Sequence, residues 1–286
     1  MLGSIKKLAV AITFSPTAGG LLQEASRLKE LLQAELLLIH VGESTDDTRQ
    51  KMSGLLHQTG LPTHTKIVWQ KGKPAEAILR VCQQEKIDLL ITGALKKENI
   101  VSYYLSTVAR TLMRKAKCSM YVLANPSVEP RPLRNIVVNA EDSPFIREAI
   151  HTGCVLAAAT GQAWVHIVRE IKLMGLALSS ADQCSEDEYS QVQQALVQDE
   201  MVVVEKMLET IPHEGVKINI KILSGKSGFE LARFAERKES DLLIVGAPPR
   251  KFSLFDRMFP HDLEYIFADL PCNLMIIRPR KEDHRG

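Results

Sequence analysis

Short runs of apolar residues alternate along the chain with longer stretches in which apolar positions recur every three or four residues. In the first half this pattern predicts strands at 8–13, 36–41, 65–69, 88–92 and 119–123. Between them it predicts helices at about 20–33, 47–58, 74–84 and 102–116. The strand segments are Ile, Leu and Val runs rather than strict alternations, which is the mark of strands covered on both faces. Parallel pairing needs a crossover between successive strands, and the intervening amphipathic helices supply it. The expected fold is a doubly wound α/β sandwich.

The pattern occurs twice. Gly72 to Ala94 aligns without gaps on Gly225 to Ala247, and nine of 23 positions are identical, among them Asp88-Leu-Leu-Ile91 against Asp241-Leu-Leu-Ile244. Leu8 to Pro16 matches Ile136 to Pro144, each ending in Ser-Pro, and Cys118-Ser-Met-Tyr-Val122 matches Cys272-Asn-Leu-Met-Ile276. Three prolines within Asn125-Pro-Ser-Val-Glu-Pro-Arg-Pro132 exclude helix and favour an extended connection. The chain therefore reads as two tandem Rossmann-like domains, 1–124 and 133–286, joined by a Pro-rich linker at 125–132. Each is expected to hold a mainly parallel five-stranded sheet, with the last strands at the joining edge. Ligands of such sheets sit at the carboxyl ends of the strands.

Composition narrows the class. Among 286 residues, 45 % are hydrophobic and 24 % charged, and Lys plus Arg (36) nearly balance Asp plus Glu (34). That balance excludes intrinsic disorder, and it offers no basic excess for nucleic acid. No apolar run reaches the ~18–20 residues of a membrane helix. Lys6-Lys7 ahead of an apolar stretch resembles a short secretory signal, but a matching run, Ile136-Val-Val-Asn-Ala140, recurs in mid-chain, so both read as buried strands. Five cysteines without a CxxC pair point to the reducing cytoplasm.

Ala11-Ile-Thr-Phe-Ser-Pro16, Ala34-Glu-Leu-Leu-Leu-Ile-His-Val41, Asp88-Leu-Leu-Ile-Thr-Gly93 and Lys117-Cys-Ser-Met-Tyr-Val122 resemble the universal stress protein family, in tandem form over nearly the whole chain. The resemblance implies ATP or another adenine nucleotide as ligand. In that family an Asp after the first strand holds the adenosine moiety, and a Gly-x2-Gly-x9-Gly-(Ser/Thr) loop after the fourth strand holds the phosphates. Glycines let backbone amides approach phosphate oxygens, and the next helix presents its positive end. Here Thr13 stands at the Asp position, and the loop aligns as Gly93, Lys96, Ser106 and Thr107, with two glycines lost. By resemblance these residues and Val41 form the first-domain site. Lys96 and Lys97 are either phosphate-attracting charges or a solvated pair. In the second domain Glu141 takes the Asp position, and the loop becomes Gly246, Pro249, Phe259 and Pro260, which reads as inactive. Any nucleotide is expected in the first domain, weakened by ~1–3 kcal/mol for each amide–phosphate bond lost.

No HxxxH, HExxH, GxSxG or GxxxxGK[ST] pattern occurs, so neither a metal site nor a catalytic group is evident. His40 and His166 read as structural histidines on second strands, and His57 and His64 as exposed. Ser15 and Ser143 read as helix N-caps. The offset between repeats grows from 128 at Pro16/Pro144 to 153 at Gly72/Gly225, a net insertion of 25 residues in the second domain. Ser185-Glu-Asp-Glu188 reads as a capping box, with Tyr189, Val192, Leu196, Val203, Met207 and Ile211 as the apolar stripe of a long helix. The apolar stretch 171–178 ahead of it is either tucked under that helix or a partner surface, with two-fold self-association the favoured use. The expected function is a cytoplasmic stress-response regulator that binds an adenine nucleotide weakly in its first domain. Two alternatives stay open: a relative that has lost the nucleotide and acts as an interaction scaffold, and a slow ATP-hydrolysing enzyme.

Overall fold

A computed structural model describes residues 5–96, 103–104, 106–141, 143–171, 186–225, 228–247, 266 and 269–278. The chain divides into two compact units, 1–132 with 272–286, and 133–271.

The first unit begins with β1 (Lys7–Ile12), α1 (Ala18–Leu32), β2 (Glu35–Val41), α2 (Asp46–Gln58), β3 (Lys66–Gln70), α3 (Pro74–Gln84) and β4 (Leu89–Gly93). A two-residue ladder of β5 (Leu95–Lys96) with β6 (Tyr103–Tyr104) precedes α4 (Thr107–Lys115) and β7 (Ser119–Leu123). The order across the sheet is β7-β4-β1-β2-β3, all parallel, with β12 (Asn273–Ile277) added antiparallel to β7. The order reverses at β1, which lies between β2 and β4, so the crevice at the carboxyl ends of these three strands is the expected ligand position. Leu8, Ala9 and Val10 are wholly buried because α-helices cover both faces of the sheet. The α1 face against the sheet is Leu21, Ala25, Leu28 and Leu32, at helical spacing. Buried Glu24 on the same helix accepts a hydrogen bond from the Tyr121 hydroxyl at 2.7 Å and pairs with Arg27, fixing α1 over β7.

Each repeat pins its first strand in the same way. The Asp88 carboxylate accepts the Lys6 and Lys7 amides, both at 3.0 Å. Asp241 accepts those of Arg134 and Asn135 at 2.7 and 3.0 Å. The repeated Asp-Leu-Leu-Ile motif is therefore architectural. The Pro-rich segment is not a free tether: a side chain on Gly20 of α1 would meet the Pro126 and Ser127 backbone at 2.7 Å, so only glycine permits that approach.

The second unit contains β8 (Asn135–Asn139), α5 (Ile146–Thr160), β9 (Trp164–Ile171), α6 (Glu186–Leu208), β10 (Lys217–Ser224), α7 (Phe229–Arg237) and β11 (Leu242–Gly246). Its sheet runs β10-β9-β8-β11, again parallel with the reversal at the first strand of the repeat. The doubly wound α/β fold expected from the pattern is thus made twice, each repeat contributing five strands; the fifth of the second, β12, pairs with β7 in the first unit.

Local expectations shift in three places. The helix expected from about 102 begins only at Thr107, because Tyr103 and Tyr104 are in the ladder. Neither Ser15 nor Ser143 is an N-cap: the helices start at Ala18 and Ile146, after the Ser-Pro turn, with no side-chain cap at either end. The inner face of α6 carries Val204 and Leu208, continued by Ile211 as its spacing predicted, while Val192 and Val203 are exposed and Leu196 and Met207 half-buried, so only part of the expected stripe faces inward. That helix packs on β9 and β10. The stretch 172–178 and Ser185 of the expected capping box lie outside the described residues. Among the described residues no helix is long and apolar enough to cross a membrane.

Candidate functional site

The parallel register brings Thr13, Val41 and Gly93 to three neighbouring strand ends. His40 packs beneath the ends of β1 and β2. Its Nδ1 lies 3.1 Å from the Ile12 carbonyl, tying the end of β1 to β2. Its ring packs against Phe14 at 4.7 Å and edge-on to Trp69 at 4.9 Å. A side chain on Gly42 would come within 2.7 Å of the His40 Nε2, so the backbone leaving Val41 runs close over the ring. His40 is thus a buried structural residue, as its strand position predicted, while Thr13 is exposed and Val41 half-buried.

Gly93 ends β4 with nothing among the described residues within 4 Å of where a side chain would begin. Beyond it, the Ser106 hydroxyl caps α4 by accepting the Ala109 amide at 3.0 Å, and Thr107 opens the helix, exposed. Among the described residues the Ser106 hydroxyl donates to no acceptor, and α4 presents its positive end there. The Lys96 backbone is paired with Tyr103 in the ladder, and Lys97 lies outside the described residues. The segment aligned with a glycine-rich phosphate loop is therefore in part a hairpin.

The second unit fills the equivalent space. The Ser143 hydroxyl donates to the Ala247 carbonyl at 2.8 Å and accepts the Phe145 amide at 3.2 Å. It lies 2.4 Å from where a side chain on Gly246 would begin. Glu141 is half-buried, its amide held by the Asn139 side chain at 3.3 Å. Glu170 stands where Val41 stands in the first unit. Its carboxylate accepts the Gly228 amide at 2.8 Å and the Leu231 amide at 3.0 Å, covering the start of α7. Burial pushes it up to about 7, with neighbouring Glu141 adding to the shift and the two amides opposing it. Arg169, one residue earlier, takes the part of His40: its Nη1 donates to the Ala140 carbonyl at 2.8 Å, and its Nε pairs with Glu200. Two carboxyl groups and a serine thus occupy this strand-end region. Sequence alignment singled out Glu141 and Gly246 but missed Glu170; a carboxylate closing the run Trp164-Val-His-Ile-Val-Arg-Glu170 was the available signal.

Pro249, Phe259 and Pro260 lie outside the described residues. His166 lies between Asn135 and Asn219, at 3.3 and 3.1 Å, and burial holds its pKa down. His57 and His64 are exposed. No group of three or more His, Cys, Asp or Glu is placed to hold a metal ion among the described residues.

Residues 4–124 match the universal stress protein family. A universal stress protein of Methanocaldococcus jannaschii is 25 % identical over 95 residues, 33 % of this chain and 55 % of that protein, so the chain spans about half the length of this curated relative. A universal stress protein structure from Archaeoglobus fulgidus DSM 4304 is similar with a TM-score of 0.63 at 12 % identity, covering 96 % of this chain and 98 % of that one. A functionally unknown protein from Pseudomonas aeruginosa PAO1 gives 0.64 at 14 % identity, covering 96 % and 93 %. At such identities the structural likeness speaks for fold alone. The match to the universal stress protein family thus covers the first repeat, and the chain shares its α/β fold with these solved structures.

Proposed function

We propose that the chain is a stress-response regulator whose first unit takes an adenine nucleotide, weakly and without turning it over, in the cleft at the carboxyl ends of β1, β2 and β4. The observation that carries this reading is the contrast between two matching glycines. The space beside Gly93 is open among the described residues, and that beside Gly246 is filled by Ser143. Thr13 and Val41 would meet the nucleoside, and Ser106, Thr107 and the start of α4 the phosphates. Weakness follows from the same site. A backbone amide engaged in a ladder cannot also meet a phosphate oxygen, and Thr13 offers no charge.

Equilibrium dialysis of the full chain against radiolabelled ATP tests the reading. The expected result is saturation at one nucleotide per chain. Two per chain would overturn the assignment of the second unit, and none at millimolar ATP would overturn nucleotide binding itself. The second outcome belongs to the scaffold reading, which the β5–β6 ladder favours because it occupies the phosphate-loop position.

A further inference from the structure

Two loops enter β4 and β7 at their amino ends, the opposite end of the first sheet from the strand-end cleft. Beside these loops and α3 is a cavity of about 400 Å³, within the usual range of small-molecule sites. Its buried lining is apolar, with Cys82, Ile87 and Cys118 no more than 6 % exposed and Leu79 half-buried. Its exposed lining is cationic: Arg80, Lys86, Lys115 and Lys117 stand against one carboxylate, Glu76. Glu76 lies 3.8 Å from Lys73, and the neighbouring carboxylate Glu85 is engaged by Lys7 and Lys66. Among the described residues Arg80, Lys115 and Lys117 make no ion pair.

Cations at helix ends commonly offset the helix dipole, but the second repeat shows that this fold does not require them. The aligned positions there hold Arg233 against Glu236, Glu239 and, through the Cys118/Cys272 match, Asp269. Leu79, Cys82 and Ile87 have smaller counterparts in Ala232, Ala235 and Ser240. The turn that ends the helix is the same in both repeats. Lys86 and Glu239 adopt left-handed φ angles of 53° and 47°. The next amides, those of Ile87 and Ser240, return to the Cys82 and Ala235 carbonyls, each at 2.9 Å. One backbone thus carries a cationic, apolar set in the first repeat and an acidic set in the second.

We propose that this cavity binds an aliphatic anion: a short alkyl chain with a carboxylate or phosphate head. The chain lies against Leu79, Cys82, Ile87 and Cys118, where burial of apolar surface favours it. The head meets the exposed cations, which attract anions and bond their oxygens directly. A nucleoside fits less well. Among the described residues no aromatic ring lines the cavity to stack on a base, and Gln83 is its one uncharged polar side chain. A recessed site of this size takes a free molecule rather than a bilayer surface.

The test titrates the full chain with octanoate and with octyl phosphate, read by calorimetry and by the methyl resonances of Leu79 and Ile87. Octyltrimethylammonium keeps the chain and reverses the charge, and inorganic phosphate keeps the charge without the chain. The expected result is saturation by an anionic amphiphile at one per chain, with shifts at Leu79 and Ile87. Binding of the cationic amphiphile should be weaker by about tenfold at low ionic strength, the gap closing with salt. Lys115→Asp combined with Lys117→Glu, both at exposed positions, should weaken anion binding by about tenfold with an unchanged unfolding midpoint. Saturating ATP should leave the titration unaltered, which separates this site from the strand-end cleft. Equal binding of anionic and cationic amphiphiles, or shifts that spare Leu79 and Ile87, would overturn the proposal. So would competition by ATP, or inorganic phosphate binding as tightly as octyl phosphate. Retention on phosphatidylglycerol vesicles without binding of either free anion would overturn it in favour of a membrane surface.

Discussion

The Ser143 side chain lies where a side chain on Gly246 would have to go, its Oγ 2.4 Å and its Cβ 2.8 Å from that position. Gly93, its counterpart in the first repeat, has no such neighbour among the described residues. Ser15, the counterpart of Ser143, instead lies 3.1 Å from the Thr17 hydroxyl. The two matching serines thus make different contacts, and only Ser143 lies against its glycine among the described residues.

Two alanine substitutions should consequently differ. Gly246→Ala overpacks the turn and should cost about 1–3 kcal/mol, whereas Gly93→Ala should stay within about 0.5 kcal/mol. Denaturant unfolding of the two variants measures this. Introducing Ser143→Gly beside Gly246→Ala should recover part of the loss, giving a coupling energy that distinguishes a clash from a general effect.

The repeated aspartates give a second pair. Asp88 and Asp241 each accept two backbone amides of a first strand. Replacing either by alanine should lower stability by roughly 2–3 kcal/mol through lost charge-assisted bonds and stranded donors. Loss of stability in Asp88→Ala with ligand binding unchanged would mark the motif as architectural; a selective loss of binding would contradict it.

Glu170 should make stability depend on pH. Its folded pKa is raised from 4.5 to about 7, so between those values the folded protein keeps a proton that the unfolded chain has released. Its favourable contribution is complete at low pH and is lost as pH rises through about 7. The decline is on the order of 2 kcal/mol after allowance for solvent. The unfolding midpoint of wild type should fall relative to that of Glu170→Gln across this window at constant ionic strength. Parallel profiles for the two proteins would contradict the shift.

The strands and most helices were legible because both signals are local: apolar runs too short for helices, and apolar faces at helical spacing. The bounds 74–84 and 119–123 are those observed. What failed depended on partners. Val204 rather than Val203 faces the sheet because the tertiary contact chooses among adjacent valines. Tyr103 and Tyr104 are in a ladder rather than a helix, since aromatic residues suit both states. At the site, Thr13, Val41 and Gly93 could be placed at neighbouring strand ends from topology alone. The Ser143 orientation and the Glu170 contact with α7 could not, because each joins residues more than 50 positions apart.

The central claim is that the open space beside Gly93 is the nucleotide site. Isothermal titration of the full chain with ATP, wild type against Gly93→Leu, tests it most directly. The substitution adds bulk at a position where nothing among the described residues lies within 4 Å of the Cβ and the backbone is not left-handed. The account predicts one site per chain in wild type, at least tenfold weakened in Gly93→Leu, with unchanged circular dichroism and unfolding midpoint. Equal affinity in the two proteins would contradict it.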